Sequence, residues 1–182
     1  MKEVKLKSYD NTWYNPGGLP KRVLWYACNR LFIKTSIPFP TKFKIILLRA
    51  FGAKVGKGLI IKPGVSIKYP WFLEISDHVW IGENVWIDNL SSVFIGSNVC
   101  ISQGAMLLCG NHNYKSPEFD LITKKITLEE GVWIGARGIV CPGVICRNHS
   151  VLGVGSVATS ELESYRIYMG NPAKNIRERV IS

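Results

Sequence analysis

The chain is poor in the features that define several common protein classes. Its five cysteines are an odd number, form no CxxC pair and show no metal-finger spacing. That argues against a disulfide framework or a zinc finger and predicts free thiols in a reducing, cytoplasmic compartment. No apolar run approaches the roughly 18 residues that a transmembrane helix requires. The charged opening from Met1 to Asp10 has no apolar signal-peptide core, so a cytoplasmic location is expected. Asn148-His149-Ser150 is then a glycosylation sequon in form alone. Acidic residues are scarce at one end: residues 1–62 hold Glu3 and Asp10 against thirteen Lys/Arg, a balance of +11. The rest holds ten Lys/Arg and eleven Asp/Glu, which gives −1 and a total of +10. No nucleic-acid-binding motif accompanies this charge, so nucleic acid is not an expected partner.

Through most of the C-terminal two-thirds, the 3.6-residue period of a helix and the 2-residue period of an ordinary strand are also missing. Instead an aliphatic or small residue returns every six positions: Ile75, Ile81, Ile87; Ile95, Ile101, Leu107; Leu128, Ile134, Val140; Cys146, Leu152, Ala158. A second small or apolar residue often stands four places on, as at Val79, Val85, Val99, Ala105 and Val132. Such a repeat marks a parallel β-helix, each hexapeptide forming one flat side of a coil. Three hexapeptides make an eighteen-residue triangular turn, and the ladder groups into triplets that begin at Val55, Ile75, Ile95, Leu128 and Cys146. Between the first three triplets the step lengthens from six to eight, which predicts two-residue bulges at corners. Between Leu107 and Leu128 it jumps to twenty-one, so a loop of roughly fifteen residues leaves the prism there. At about 4.8 Å per coil, five coils rise roughly 20–25 Å.

The 182 residues are expected to form one domain, long enough to bury a core. Residues 1–54 read as an irregular arm and helices, 55–160 as the β-helix with its loop at 109–127, and 161–182 as a tail. One helix is expected over 21–34, with Leu24, Cys28, Leu31 and Phe32 on its apolar stripe. A second is expected over Lys42–Phe51, capped by Thr41 and ended by Gly52. Tyr165–Met169 reads as extended and Pro172–Val180 as a short helix with Pro in its first turn. The fold class is thus all-β, a parallel β-helix of about five coils with N-terminal helices and a short C-terminal helical tail. The basic helices have two readings. They cap the open end of the prism, where strand edges are otherwise unpaired; or Trp25, Phe32, Phe39, Phe43 and the nearby lysines lie on anionic lipid at the inner face of the membrane.

The ladder, the loop carrying Gly110-Asn111-His112-Asn113, the runs Val132-Trp133-Ile134-Gly135-Ala136 and Cys141-Pro142-Gly143-Val144, and the ending Gly170-Asn171-Pro172-Ala173-Lys174 resemble the hexapeptide-repeat acyltransferases. The likeness is strongest to the colanic acid biosynthesis acetyltransferases, relatives of the maltose, galactoside and nodulation acetyltransferases. It extends to the run from Leu47 to Gly56 and to Tyr69-Pro70-Trp71, and so covers roughly residues 20–180. It implies a left-handed coil, a homotrimer and acetyl-CoA lying between neighbouring prisms. The implied activity is transfer of acetyl to a hydroxyl of a sugar, nucleotide sugar or lipid-linked glycan in polysaccharide biosynthesis, with no metal.

Such a transfer needs a base for the hydroxyl proton. His112 is the natural candidate, because an imidazole titrates near neutral pH, and it matches the family's catalytic histidine. The tetrahedral intermediate needs a donor for its oxyanion, which the resemblance assigns to a backbone N–H on the Ile134-Gly135-Ala136 coil, with Ala136 the choice. Gly135, Gly153 and Val154 would line the pantetheine arm, and glycines serving only tight corners are the plainer reading. Trp133 would wall the acceptor or cofactor pocket. Lys174, Arg177 and Arg179 would meet the phosphates of CoA. The family often has Thr-Lys after the last coil; here Ser160 follows Thr159, so the tail must supply that charge. Asp88 and Asn89, in the bulge one coil below, and Asn111 would bond acceptor hydroxyls, although Asp and Asn are also ordinary turn formers. His78 and His149 fall in solvent-facing hexapeptide turns.

Three rivals compete. A zinc carbonic anhydrase of this fold would need His78, His112 and His149, which stand 34 and 37 apart, to converge on a metal. A Cys109–His112 pair would form an acyl-enzyme. A non-catalytic scaffold would only assemble partners.

Overall fold

β-Branched residues at every sixth position suit a short strand that buries one side chain per hexapeptide and then turns. The computed structural model, which describes residues 3–182, has this architecture; Met1 and Lys2 of the expected arm lie outside the described residues. Three parallel sheets form the faces of a prism. The first face stacks Lys54–Val55, Leu73–Ile75, Val93–Ile95, Ile126–Leu128 and Ile145–Cys146. The second stacks Ile60–Ile61, Trp80–Ile81, Cys100–Ile101, Trp133–Ile134, Val151–Leu152 and Arg166–Gly170. The third stacks Ser66–Ile67, Trp86–Asp88, Met106–Leu108, Ile139–Val140 and Val157–Ala158.

The register follows the ladder. Ile75 pairs with Ile95, Ile95 with Leu128 and Leu128 with Cys146 on the first face. Ile101, Ile134 and Leu152 align on the second, and Leu107, Val140 and Ala158 on the third. From Ile61 to Ala158 every rung is buried. A slip of one residue would expose the whole row. The two-residue bulges are also present. Asn89, without accessible surface, accepts from the N–H groups of Lys68 and Tyr69 at 3.2 and 3.0 Å and donates to the Tyr69 carbonyl.

The open end of the first coil is covered by α1 (Leu19–Cys28), which runs on through a wider turn at Asn29–Ile33, and by α2 (Thr41–Ala50). Their polar side chains complete the strand edge. Trp25 Nε1 donates to the Ile67 carbonyl at 2.9 Å, and Asn29 Oδ1 accepts from the Ile67 N–H at 3.3 Å. Lys44 Nζ donates to the carbonyls of Ile61 and Lys62, and Arg49 to those of Val55 and Gly56. This requirement corrects the expected stripe of α1. The inward row is Trp25, Asn29 and Ile33, with Cys28 packed partly against the core, while Leu24 and Leu31 are exposed, because Trp25 and Asn29, which bond the strand edge, fix the face that turns to the prism end. Thr41 is likewise not the cap of α2. Pro40 holds that position, and the Thr41 hydroxyl accepts from the Ile61 N–H at 3.5 Å.

The expected C-terminal helix is absent. Ala173–Glu178 is a strand, antiparallel to Arg166–Gly170. The physical reason is the edge: Ile167 and Tyr168 pair with Val151 and Leu152 as a partial sixth coil, and their outer side offers an unpaired ladder that the tail fills. A proline in the first turn is permissive for a helix but does not create one.

Candidate functional site

The break in the ladder becomes a hairpin at the corner between the third and first faces. Gly110–His112 pairs with Leu121–Thr123, and the chain rejoins the prism at Ile126. The Asn111 side chain accepts from the His112 N–H at 2.8 Å, which fixes the backbone under the ring. His112 Nδ1 lies 2.9 Å from the Phe119 carbonyl. A carbonyl can only accept, so Nδ1 carries the proton and the neutral ring keeps its lone pair on Nε2. The Phe119 ring stacks on the imidazole, 4.4 Å away and 8° from parallel, with Phe119 itself at a left-handed φ of 55°. A bulky residue rarely adopts that conformation, and such strain clusters at working sites. Tyr9 also stands near the imidazole, tilted 56° and 5.8 Å between centroids. It belongs to the arm, which is tied down by a bond from the Lys5 N–H to the Pro117 carbonyl and by the Tyr14 hydroxyl on the Leu90 carbonyl.

Ala136 lies at the corner between the second and third faces, across the third face from His112. Gly135–Gly138 is a tight turn, with Gly138 N–H bonded to the Gly135 carbonyl at 2.9 Å and Arg137 at φ 55°. Positive φ at the third residue is the signature of a type II turn. The Ala136 N–H finds no acceptor among the described residues, and neither do those of Gln103 one coil below and Val154 one coil above. Their carbonyls are engaged along the stack: Arg137 N–H meets Gln103 and Gly155 N–H meets Ala136. At the corner between the first and second faces the equivalent amides are satisfied at four of five turns, that of Ser97 being the exception. There Asp77 serves Lys57, Ser97 serves Asp77, Asn148 serves Glu130 and Glu129 serves Asn148. A column of free donors therefore marks one corner. A side chain at Gly155 would meet nothing within 4 Å, whereas one at Gly135 would strike the backbone of Gly153 and Val154. Trp133 projects outward beside this corner, its Nε1 held by the Ser102 hydroxyl at 3.0 Å.

The remaining candidates divide. Asp88 pairs with Lys68 at 3.0 Å and lies 3.9 Å from where a side chain on Gly110 would begin, so it borders the base of the hairpin. Asn89 does not reach an acceptor, since its amide is buried and bonded within the bulge. Lys174 and Arg177 are exposed on the last strand. Arg179 donates to the carbonyls of Gly131 and His149 and so serves the corner. His78 and His149 occupy left-handed turn positions, at φ 57° and 58°, on a corner that does not include His112. Among the described residues no group of three or more His, Cys, Asp or Glu could hold a metal. Cys109 is fully buried, and burial pushes its thiol up to about 11, which removes the thiolate that an acyl-enzyme would need. Sequence reasoning missed Phe119, Tyr9 and Tyr14. Their only signal was aromatic character in otherwise polar segments, and their contacts depend on how arm and hairpin fold together.

No family model matches the chain. Individual proteins do. The chain is 35% identical over 167 residues, 92% of its length and 92% of the relative's, to Escherichia coli WcaF, named for colanic acid biosynthesis acetyltransferase activity. It is 27% identical to the galactoside O-acetyltransferase of Escherichia coli, over 88% of the chain and 81% of that protein. Its fold matches a Vibrio cholerae hexapeptide-repeat acetyltransferase, solved with acetyl coenzyme A, at a TM-score of 0.79 and 21% identity, over 92% and 93% of the two chains. The chain belongs to the hexapeptide-repeat acyltransferases, whose scaffold is the left-handed parallel β-helix. Within that class it is an acetyltransferase.

Proposed function

We propose that the protein transfers acetyl from acetyl-CoA directly to a sugar hydroxyl in the biosynthesis of an exopolysaccharide or capsule, with His112 as general base. The observation that carries this reading is the imidazole held by the Phe119 carbonyl, with Nε2 left free to take a proton. The hydroxyl oxygen attacks the thioester carbon as Nε2 accepts its proton. The oxyanion is held by the unpaired Ala136 N–H. The C–S bond then breaks, and the proton passes from the imidazolium to the departing thiolate, which yields the acetyl ester and CoA. The names of the colanic acid and galactoside relatives support the sugar acceptor, and the neighbour solved with acetyl coenzyme A supports the donor.

The donor fits the free amides: its pantetheine arm lies along Gly135, Ala136, Gly153 and Val154 beside Trp133, and Lys174 and Arg177 take its phosphates. Because His112 and Ala136 stand on different corners, the site forms between copies, as in the trimer the family resemblance implies. The acceptor enters beside Asp88 and Asn111. The protein works in the cytoplasm, and the basic helices bring it to the inner face of the membrane. Among the described residues no helix is long and apolar enough to cross it.

Two substitutions test the chemistry. His112→Ala should lower kcat by about 10²–10⁴ while acetyl-CoA still binds. Ala136→Pro deletes one N–H in a turn that accepts proline there, as Pro63-Gly64 and Pro142-Gly143 do elsewhere in this chain. It should lower kcat by about 10²–10³. Steady-state transfer to a panel of sugars reads both, and a fully active His112→Ala enzyme would sink the mechanism.

A further inference from the structure

Beneath the third face, α1 and the two lowest coils enclose a groove of about 500 Å³. One wall is α1 with Arg22 and Tyr26, continued by Arg30 in the wider turn and Lys34 just after it; the other holds Trp86 and Asp88. Its charge is lopsided. Lys68 is paired with Asp88 at 3.0 Å, but Arg22, Arg30 and Lys34 have no carboxylate partner among the described residues. Arg22 Nε is buried and lacks any acceptor there. Arg30 lies in the wider turn and Lys34 just past it, both exposed. Folding leaves the buried Arg22 nitrogen without an acceptor. An anion that supplies acceptor oxygens and negative charge would satisfy it and pair the other two cations, for which a guanidinium fork beside an ammonium is suited.

The groove also has a direction. Asp88 marks its inner end, under the hairpin that carries His112, and Arg22 lines the same groove. Arg30 stands eight residues past Arg22, roughly 10–12 Å at about 1.5 Å per residue along α1 and slightly less in the wider turn, with Lys34 just beyond the end of that turn. One phosphate cannot span that length, whereas a sugar ring followed by a diphosphate can. The geometry points to an acceptor that is a sugar carried on a diphosphate. Its reactive hydroxyl faces Asp88 and His112, its ring lies by Trp86 and Arg22, and its diphosphate rests on Arg30 and Lys34. This rests on the acetyl-transfer reading above and narrows its acceptor class.

Calorimetry on the full chain tests the site with inorganic pyrophosphate, UDP-glucose, geranyl diphosphate and free glucose. Pyrophosphate should bind, and the exposed pair Arg30→Gln with Lys34→Gln should weaken it at least tenfold while acetyl-CoA affinity holds. If the pair fails to fold, Arg30→Gln alone decides, with a severalfold loss expected. Both diphosphates should bind tighter than glucose. A preference for UDP-glucose identifies a nucleotide-linked sugar and one for geranyl diphosphate a lipid-linked one; either supports the site. Unchanged pyrophosphate affinity in the variants overturns it, as does competition with CoA, which would place the anion in the donor site. His112→Ala separates the two readings: it should abolish transfer and leave pyrophosphate binding intact. Transfer that survives this change defeats the mechanism without touching the anion site.

Discussion

At a turn that requires a left-handed residue, the neighbour in the next coil decides what the position tolerates. Gly131 and Gly155 share nearly the same conformation, φ 67° and 65°. A Cβ on Gly155 would meet open space, but one on Gly131 would strike the His149 ring at Nδ1. Gly155→Ala should therefore lose only the left-handed penalty, about 1–2 kcal/mol. Gly131→Ala should lose more, and the excess should shrink in a His149→Ala background, because the two changes share one contact. Thermal unfolding of the four proteins decides it; equal losses would mean that His149 swings aside freely. The stacking also explains His149 and His78, which lies over Gly58 in the same way. Their turn positions were legible from the hexapeptide phase. The tautomer of His112 was not, because it depends on a carbonyl seven residues on that only the hairpin brings back.

The elements of this fold differ in how much of themselves they write locally. A prism strand states its place by one residue in six, so coils, bulges and the excursion could be read from spacing. A capping helix answers instead to the edge beneath it, which spacing does not record. Lys44 shows this best: the residue has no accessible surface, its ammonium bonds two carbonyls of the first coil, and burial lowers its pKa. Lys44→Met would leave those carbonyls unpaired and should destabilise the protein by about 1–3 kcal/mol, or several degrees in melting temperature. The buried ammonium also has a pH signature. Its folded pKa lies below the unfolded value of 10.5, so the unfolded chain holds the extra proton between the two. Stability relative to Lys44→Met should then rise with pH across that alkaline window. A variant as stable as the parent would show that the cap is held by apolar contacts alone. The last strand was misread for the same reason as the cap, since its conformation is set by the ladder that Tyr168 leaves open.

For the whole molecule, the decisive fact is that a free amide and a free imidazole nitrogen occupy different corners of one prism. The strand segment between the corners is about four to five residues, roughly 15 Å, too far for one thioester carbon to touch both. Two copies related by rotation can bring unlike corners together, as heterologous contacts in a closed ring do. The outward side chains suit that role: Trp80, Trp86 and Trp133 are 59%, 42% and 44% exposed, which is unusual for indoles that no other part of the described chain covers. This predicts complementation. His112→Ala and Ala136→Pro subunits, each inactive alone, should regain activity when unfolded together and reassembled. In a random cyclic trimer about one quarter of the interfaces would join an intact His112 to an intact Ala136 amide. Activity near that fraction, absent when the two pure variants are mixed without unfolding, requires a site shared between copies. No recovery from verified mixed oligomers would mean that each chain carries out the transfer with its own residues, and that the distance across the third face is closed by a movement of the hairpin.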